Sequence, residues 1–279
     1  MFSSFFSATD PNAPNLHPVT NGVAPADLFG ELVPEDLEWV CAGGFSAETH
    51  IWYQRLEDGT FLMCQVIHSA VGLWYPTVQF TFRHYNPATK ENIWRSANVS
   101  GFVSPATGSD DKRTGKSDKF TVLFKPATDT TEETYSITAN PADDVQVSLE
   151  VSRVATVPGF KVGKGPKGGN TYFGADTASP EGYVFHKFWP MTTCKGTIVV
   201  NGKAISANGT GMFVHAIQGM RPNLVASRWN FAHFEGDDNK TSATMMEFTS
   251  TPGYGKKGDG SGGVVINVGC VVRDGKLAV

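Results

Sequence analysis

The segment Gly182–Phe234 reads GYVFHKFWPMTTCKGTIVVNGKAISANGTGMFVHAIQGMRPNLVASRWNFAHF. It holds several short strand patterns with aromatics spaced through them. Asn201-Gly202 separates Thr197–Val200 from Lys203–Ile205. That dipeptide suits a two-residue hairpin, because both of its positions must take positive φ. Upstream lies enough chain for one complete β-barrel, and downstream only part of another. The segment reads as the junction between two β units.

Working outward, the same signals repeat. Asp58-Gly59 lies between the strand patterns His50–Gln54 and Phe61–His68. Val78, Phe80 and Phe82 alternate with Gln79, Thr81 and Arg83, and Phe120, Val122 and Phe124 share one parity. Val145, Val147, Leu149 and Val151 alternate with Gln146, Ser148, Glu150 and Ser152. A period of two with one apolar face marks half-buried strands. No helical period is sustained after Trp39, although Pro25–Trp39 has room for a short helix. The fold expected is all-β and antiparallel. About eight strands from Glu38 to Ile205 suffice to close an up-and-down barrel around one small ligand. The expected loops are Ser104–Lys119 and Ala155–Ser179. The second unit is expected to hold strands at Met212–Gln218, Arg228–Phe234, Thr244–Phe248 and Val264–Val272, too few to close a barrel of the same kind. Asp274-Gly275 is a further hairpin signal near the end of the chain.

Composition permits a large core: 279 residues, 40% hydrophobic, with 19 Phe and 6 Trp. No apolar run approaches the roughly 20 residues of a membrane-spanning helix. The N-terminus lacks the pattern of a secretory signal. A net charge of −4 gives no general attraction to nucleic acid. Cys41, Cys64, Cys194 and Cys270 form no CxxC pair and read as buried thiols in a reducing compartment. There the glycosylation-like triplets at Asn98, Asn208 and Asn239 carry no meaning.

No catalytic or metal motif in the sequence is complete. Gly115-Lys116-Ser117 resembles the end of a phosphate loop, but Asp110 stands where that loop needs glycine. There is no GxSxG and no HExxH. His186, His215 and His233 fall on three separate strand patterns, and three histidines can hold a metal in some barrels. A hydrogen-bonded histidine on a half-buried strand is the plainer reading, so no metal and no cofactor is expected.

The aromatics are the most informative feature. Trp74, Phe80, Phe82, Trp94, Phe124, Phe185, Trp189, Phe213, Trp229 and Phe231 are candidate cavity residues. Any one of them suits ordinary barrel core, but together they suit the walls of a lipid pocket. At the N-terminus, Phe2, Phe5 and Phe6 would share one face of a helical turn. The stretch Ser7–Asn21 behind them is rich in Pro, Asn, Thr and Ala and reads as a flexible tether.

Four segments closely resemble the fungal survival factor family of the Svf type. They are GFKVGKGPKGGNTYFGAD (Gly159–Asp176), EGYVFHKFWP (Glu181–Pro190), GMFVHAIQGMRP (Gly211–Pro222) and ASRWNF (Ala226–Phe231). The resemblance implies two lipocalin-like barrels in tandem. It divides the chain into an N-terminal amphipathic and flexible segment (1–36), a first barrel (37–207) and the start of a second (208–279) that stops short of the family's length. It also implies a non-enzymatic carrier that moves ceramide, or a similar sphingolipid, from endoplasmic reticulum to Golgi and supports survival under oxidative stress. Such a carrier is cytoplasmic, touches Golgi and endoplasmic reticulum membranes peripherally, and extends to the nucleus. Membrane contact falls to Phe2, Phe5 and Phe6. Arg221 and Arg228 are candidate headgroup contacts, although Asn223 and Leu224 stand where the family carries a histidine pair. Tandem lipocalin-like barrels also resemble carotenoid hydratases, so an isoprenoid enzyme is one alternative, and a ligand-free stress scaffold is another.

Overall fold

The structure, a computed structural model, describes residues 14–71, 75–255 and 263–278. Phe2, Phe5, Phe6 and Trp74 lie outside the described residues. The chain begins with two short strands, β1 (Leu16–His17) and β2 (Phe29–Glu31). Two 3-10 turns, Pro25–Asp27 and Pro34–Leu37, stand where a short helix was expected. Then come two meanders. The first is β3 (Phe45–Leu56), β4 (Phe61–Val71), β5 (Thr77–Tyr85) and β6 (Asn92–Val99). The second is β7 (Gly115–Lys116), β8 (Phe120–Lys125), β9 (Thr134–Ala142) and β10 (Val145–Arg153). Next follow β11 (Phe160–Val162), β12 (Asn170–Phe173), β13 (Gly182–Val200), β14 (Lys203–Ser206) and β15 (Gly209–Gln218).

The large sheet runs β6-β5-β4-β3-β15-β13-β10-β9-β8-β7. It curls until its two ends approach, where Val103 and Lys116 form an isolated antiparallel bridge. Arg95 of β6 also donates to Asp144 in the β9–β10 turn at 3.0 Å. Strand periodicity explains the curl's interior. In β10, Val145, Val147, Leu149 and Val151 are buried while Gln146, Ser148 and Glu150 are exposed. One continuous core joins the inward residues of the long strands.

Three expectations need correction. The strand expected at Met212–Gln218 in the second unit is β15 (Gly209–Gln218), which lies in the large sheet between β3 and β13. Gly211–His215 are buried without a break, so alternation gives no clue to its sheet. The loop Ala155–Ser179 contains β11 and β12, which pair with β13. The described part of the tether is docked: β1 pairs with β12, and Leu16 and Val19 are buried. The hairpins do follow the turn dipeptides. Asn201 and Gly202 take φ of 51° and 77°, and Asp274 and Gly275 take 53° and 69°.

β13 is the shared wall. It is 19 residues long and shifts register against β15 between Trp189 and Thr192. Pro190 lies in that shift, where its missing N–H is harmless. Before the shift β13 pairs with β11 and β12, and after it with β10 and β14.

Beyond a single helical turn, α1 (Pro222–Val225), the chain forms a separate sheet. Its order is β16 (Ala226–Glu235), β17 (Ser242–Ser250), β18 (Val265–Arg273) and β19 (Lys276–Ala278). Phe248, Ile266, Val268 and Cys270 of this sheet pack with Val184, Phe188, Met212 and Val214 from the back of the wall. A fully buried side chain of this kind contributes roughly 1.5–3 kcal/mol, so this second core fixes the small sheet onto the large one.

Candidate functional site

The inner face of the wall carries a buried charge network. Asp36, in the turn Pro34–Leu37, is 3% exposed. Its Oδ2 accepts from Lys161 Nζ of β11 at 2.7 Å and from the Val33 N–H at 2.9 Å. Its Oδ1 pairs with Lys187 Nζ of β13 at 2.9 Å. Burial alone would push the Asp36 carboxyl up. The Lys161 hydrogen bond, with those of Val33 and Lys187, outweighs burial and holds it below its ordinary value. Burial draws Lys187 down, partly offset by Asp36. A buried carboxylate between two ammonium groups is tolerable only with such pairing.

The network continues through His215. Its Nδ1 lies 2.8 Å from the Asp36 carbonyl, which can only accept, so Nδ1 donates. Its Nε2 lies 2.9 Å from Glu48 Oε1. Glu48 also accepts the N–H groups of Val40 at 2.9 Å and Cys41 at 2.7 Å. The loop 36–41 is thereby tied into the barrel's mouth. Strand register does the positioning: Glu48 stands opposite His68, and His50 opposite His215. His50 stacks on Trp39 with centroids 3.9 Å apart and meets His215 edge-on at 4.4 Å. Burial, with His215 nearby, drives His50 well below the ordinary histidine range. Deeper in lie Trp52, Tyr135 and Phe213 in mutual contact. Trp39 Nε1, both nitrogens of His50, Trp52 Nε1 and Tyr135 Oη are buried without a hydrogen-bond partner among the described residues.

Two cavities flank this interior. One, of about 490 Å³, opens at the mouth and is lined by Cys41, His68, Val78, Val99 and Phe102 among others. The other, of about 420 Å³, is a mostly apolar groove between the large sheet and β16. Tyr53, Phe61 and Phe231 form its walls, with Gln54, Arg55, His233 and Glu235 as polar neighbours. Phe231 stacks on Tyr53 at 5.3 Å. His233 bonds Thr244 Oγ1 through Nδ1 at 2.9 Å and approaches Glu235 through Nε2 at 3.3 Å.

The candidate aromatics separate into groups. Phe80, Phe82, Phe124, Trp189 and Phe213 are buried together in the barrel core. Phe185 is buried at the mouth, beneath Lys187 Nζ at 4.2 Å and against His215. Trp229 belongs to the second core, against His186 and Phe248. Phe231 lines the groove. Trp94 is corrected: it is 51% exposed on the outside of β6. Its neighbours Ile93 and Arg95 have the inward parity, and Arg83 lies over its indole at 5.6 Å. Arg221 stacks over Phe45 at 3.9 Å. Arg228 makes an exposed ion pair with Glu247 at 3.7 Å.

His186, His215 and His233 are not brought together. His186 faces the second core, His215 the barrel, and His233 the groove. Sequence reading missed Asp36, Glu48, His50, Lys161 and Lys187. A signal existed for three of them. Glu48 and His50 share the parity of Trp52, and Lys187 shares that of Phe185 and Trp189. A polar residue on an aromatic parity marks an inward polar group. Asp36 and Lys161, on a turn and a three-residue strand, offer no such pattern.

Residues 3–279 match the Svf1 family. Curated relatives include the ceramide-binding protein svf1 of Aspergillus fumigatus, 34% identical over 89% of this chain and 58% of that protein. The ceramide-binding protein svf1 of Schizosaccharomyces pombe is 31% identical over 94% and 63%. That of Yarrowia lipolytica is 35% identical over 88% and 61%. The chain thus spans about three fifths of the length of these relatives. Among solved structures, an AttH-type protein of Nitrosomonas europaea superposes with a TM-score of 0.59 at 15% identity, covering 91% of this chain and 72% of that one. Kievitone hydratase of Nectria haematococca gives 0.54 at 12%, covering 89% and 67%. At such identities the likeness is one of fold.

Proposed function

This chain belongs to the Svf1 family, and from that premise we propose that it binds ceramide and carries it between endoplasmic reticulum and Golgi membranes. The observation that carries the reading is the groove between the large sheet and β16. Its walls are Tyr53, Phe61 and Phe231, and Gln54, Arg55, His233 and Glu235 supply donors and acceptors beside them. An acyl chain lying against those rings leaves water, which is favourable by about 0.8 kcal/mol per CH₂. The amide and hydroxyls of ceramide need only a few fixed polar partners at the rim. No bond is made or broken, so the reading needs no catalytic group. The relatives named above are called ceramide-binding proteins, which supports the ligand class. Recruitment to the membrane falls to Phe2, Phe5 and Phe6, three apolar rings without a basic neighbour, which favours weak and reversible contact. In this role the protein works from the cytoplasm and sustains cells under oxidative stress.

The test is native mass spectrometry of the 279-residue chain after exposure to ceramide-containing liposomes. One ceramide is expected per chain. Phe231→Asp, which places a charge on the exposed groove wall, should abolish the adduct and leave circular dichroism unchanged. A folded Phe231→Asp chain that still carries ceramide would move the ligand out of the groove. Turnover of an isoprenoid by the wild-type chain would favour the hydratase alternative.

A further inference from the structure

We propose that Cys41, Glu48 and His68 form a transition-metal site, suited to Zn²⁺, on the floor of the cavity at the barrel's mouth. The three residues come from the loop before β3, from β3 and from β4. One donor atom of each lies within 4.8 Å of the others. A thiolate, an imidazole and a carboxylate are the donors that Zn²⁺ takes. Bonds of about 2.0–2.3 Å need these donors to close in by roughly an ångström, within the reach of side-chain rotation.

Three independent features support a built site. First, His68 is 4% exposed, and its Nδ1 has no hydrogen-bond partner among the described residues. A buried ring nitrogen left unpaired is uncommon and asks for an explanation. Second, Cys41 holds φ at +47°, a left-handed conformation unusual for a residue with a Cβ. Such outliers persist where the surroundings impose them, and they cluster at functional positions. Third, Glu48 is already oriented by the Val40 and Cys41 N–H groups and by His215. Outer partners of this kind fix a ligating carboxylate.

The cavity decides between two overlapping donor sets. Glu48, His50 and His215 also lie within 4.8 Å of one another, all buried. Cys41 and His68 line the 490 Å³ cavity, whereas His50 is stacked beneath Trp39. A metal on Cys41, Glu48 and His68 therefore has an entry path, and its fourth position faces the cavity, open to water or another oxygen ligand. Closed structural sites lack such a position.

The experiment uses the full chain, reduced, stripped with chelator and dialysed, then titrated separately with Zn²⁺ and Co²⁺. Expected are one equivalent of Zn²⁺ and, with Co²⁺, a near-ultraviolet thiolate-to-cobalt charge-transfer band. Cys41→Gly suits the positive φ and should fold. It should abolish the band, and His68→Gln should weaken Zn²⁺ binding at least tenfold. Cys270→Ser, a buried thiol in the other core, should change neither. Should a variant fail to fold, the wild-type cobalt spectrum decides by itself. A folded wild-type chain without the band, binding that survives Cys41→Gly and His68→Gln, or a site lost with His50→Gln alone would each overturn the proposal.

Discussion

Lys187 and Phe188 are neighbours in β13, yet they face different interiors. The inner face of the wall presents Phe185, Lys187 and Trp189 with Phe213 and His215 of β15, and it meets Asp36, Glu48 and His50. The outer face presents Val184, His186 and Phe188 with Met212 and Val214, and it meets the small sheet. Both are dry. The inner face is specified by charge pairs that must all be present, the outer face by volume. Breaking one partner of a buried pair leaves an uncompensated charge, whereas apolar packing degrades by increments.

The comparison breaks most sharply at Asp36. Asp36→Ala strands Lys161 and Lys187 and should cost about 3–5 kcal/mol, read as a lower urea midpoint with an unchanged slope. A loss under about 1 kcal/mol would mean that water reaches the two ammonium groups.

Acid tests the other face. Burial lowers His186 from 6.5 to about 4. Between those values the unfolded chain binds the proton and the folded chain does not, so stability falls as pH falls. The contribution is complete above pH 6.5 and should decline by about 1.4 kcal/mol per unit toward pH 4, roughly 3 kcal/mol in all. His50 acts in the same direction. His186→Gln should therefore flatten the acid limb of a stability–pH curve only in part. An unaltered limb would show that His186 is hydrated in solution.

Phe188→Leu on the outer face should cost about 1 kcal/mol, because the site loses volume and the ring stacking on Phe160 and His186 but strands no charge. A cost as large as that of Asp36→Ala would erase the distinction between the faces. The smallest effect belongs outside both. Arg228→Ala removes an exposed ion pair with Glu247 and should change stability by less than about 0.5 kcal/mol, within the scatter of thermal melts.

How much was legible follows from the same geometry. Period-two alternation and turn dipeptides located β3, β5, β10 and the Asn201-Gly202 hairpin, because each of those elements has one wet side or one obligatory φ. The wall carries no such signal. With both faces buried, β15 carries no alternation to say which sheet it joins, and it was placed with the small one. Parity likewise misled for Trp94, an aromatic facing outward under Arg83. Of the groove, the sequence singles out only Phe231 and His233, as separate candidates. The groove's other wall, Tyr53, comes from a strand about 180 positions earlier. The charge network was invisible at Asp36 and Lys161, since turns and three-residue strands offer no period.

The position of β15 also sets a timetable. β3 pairs on one side with β4, its immediate successor, and on the other with β15, where Leu56 meets Gly209. During synthesis at about 5–20 residues per second, the roughly 150 residues between them take on the order of 10–30 s to emerge. Throughout that interval β3 has one unpaired edge, a template for pairing with another chain. Nascent chains halted before Gly209 should therefore depend on chaperones, and that dependence should end once Gln218 has cleared the ribosome.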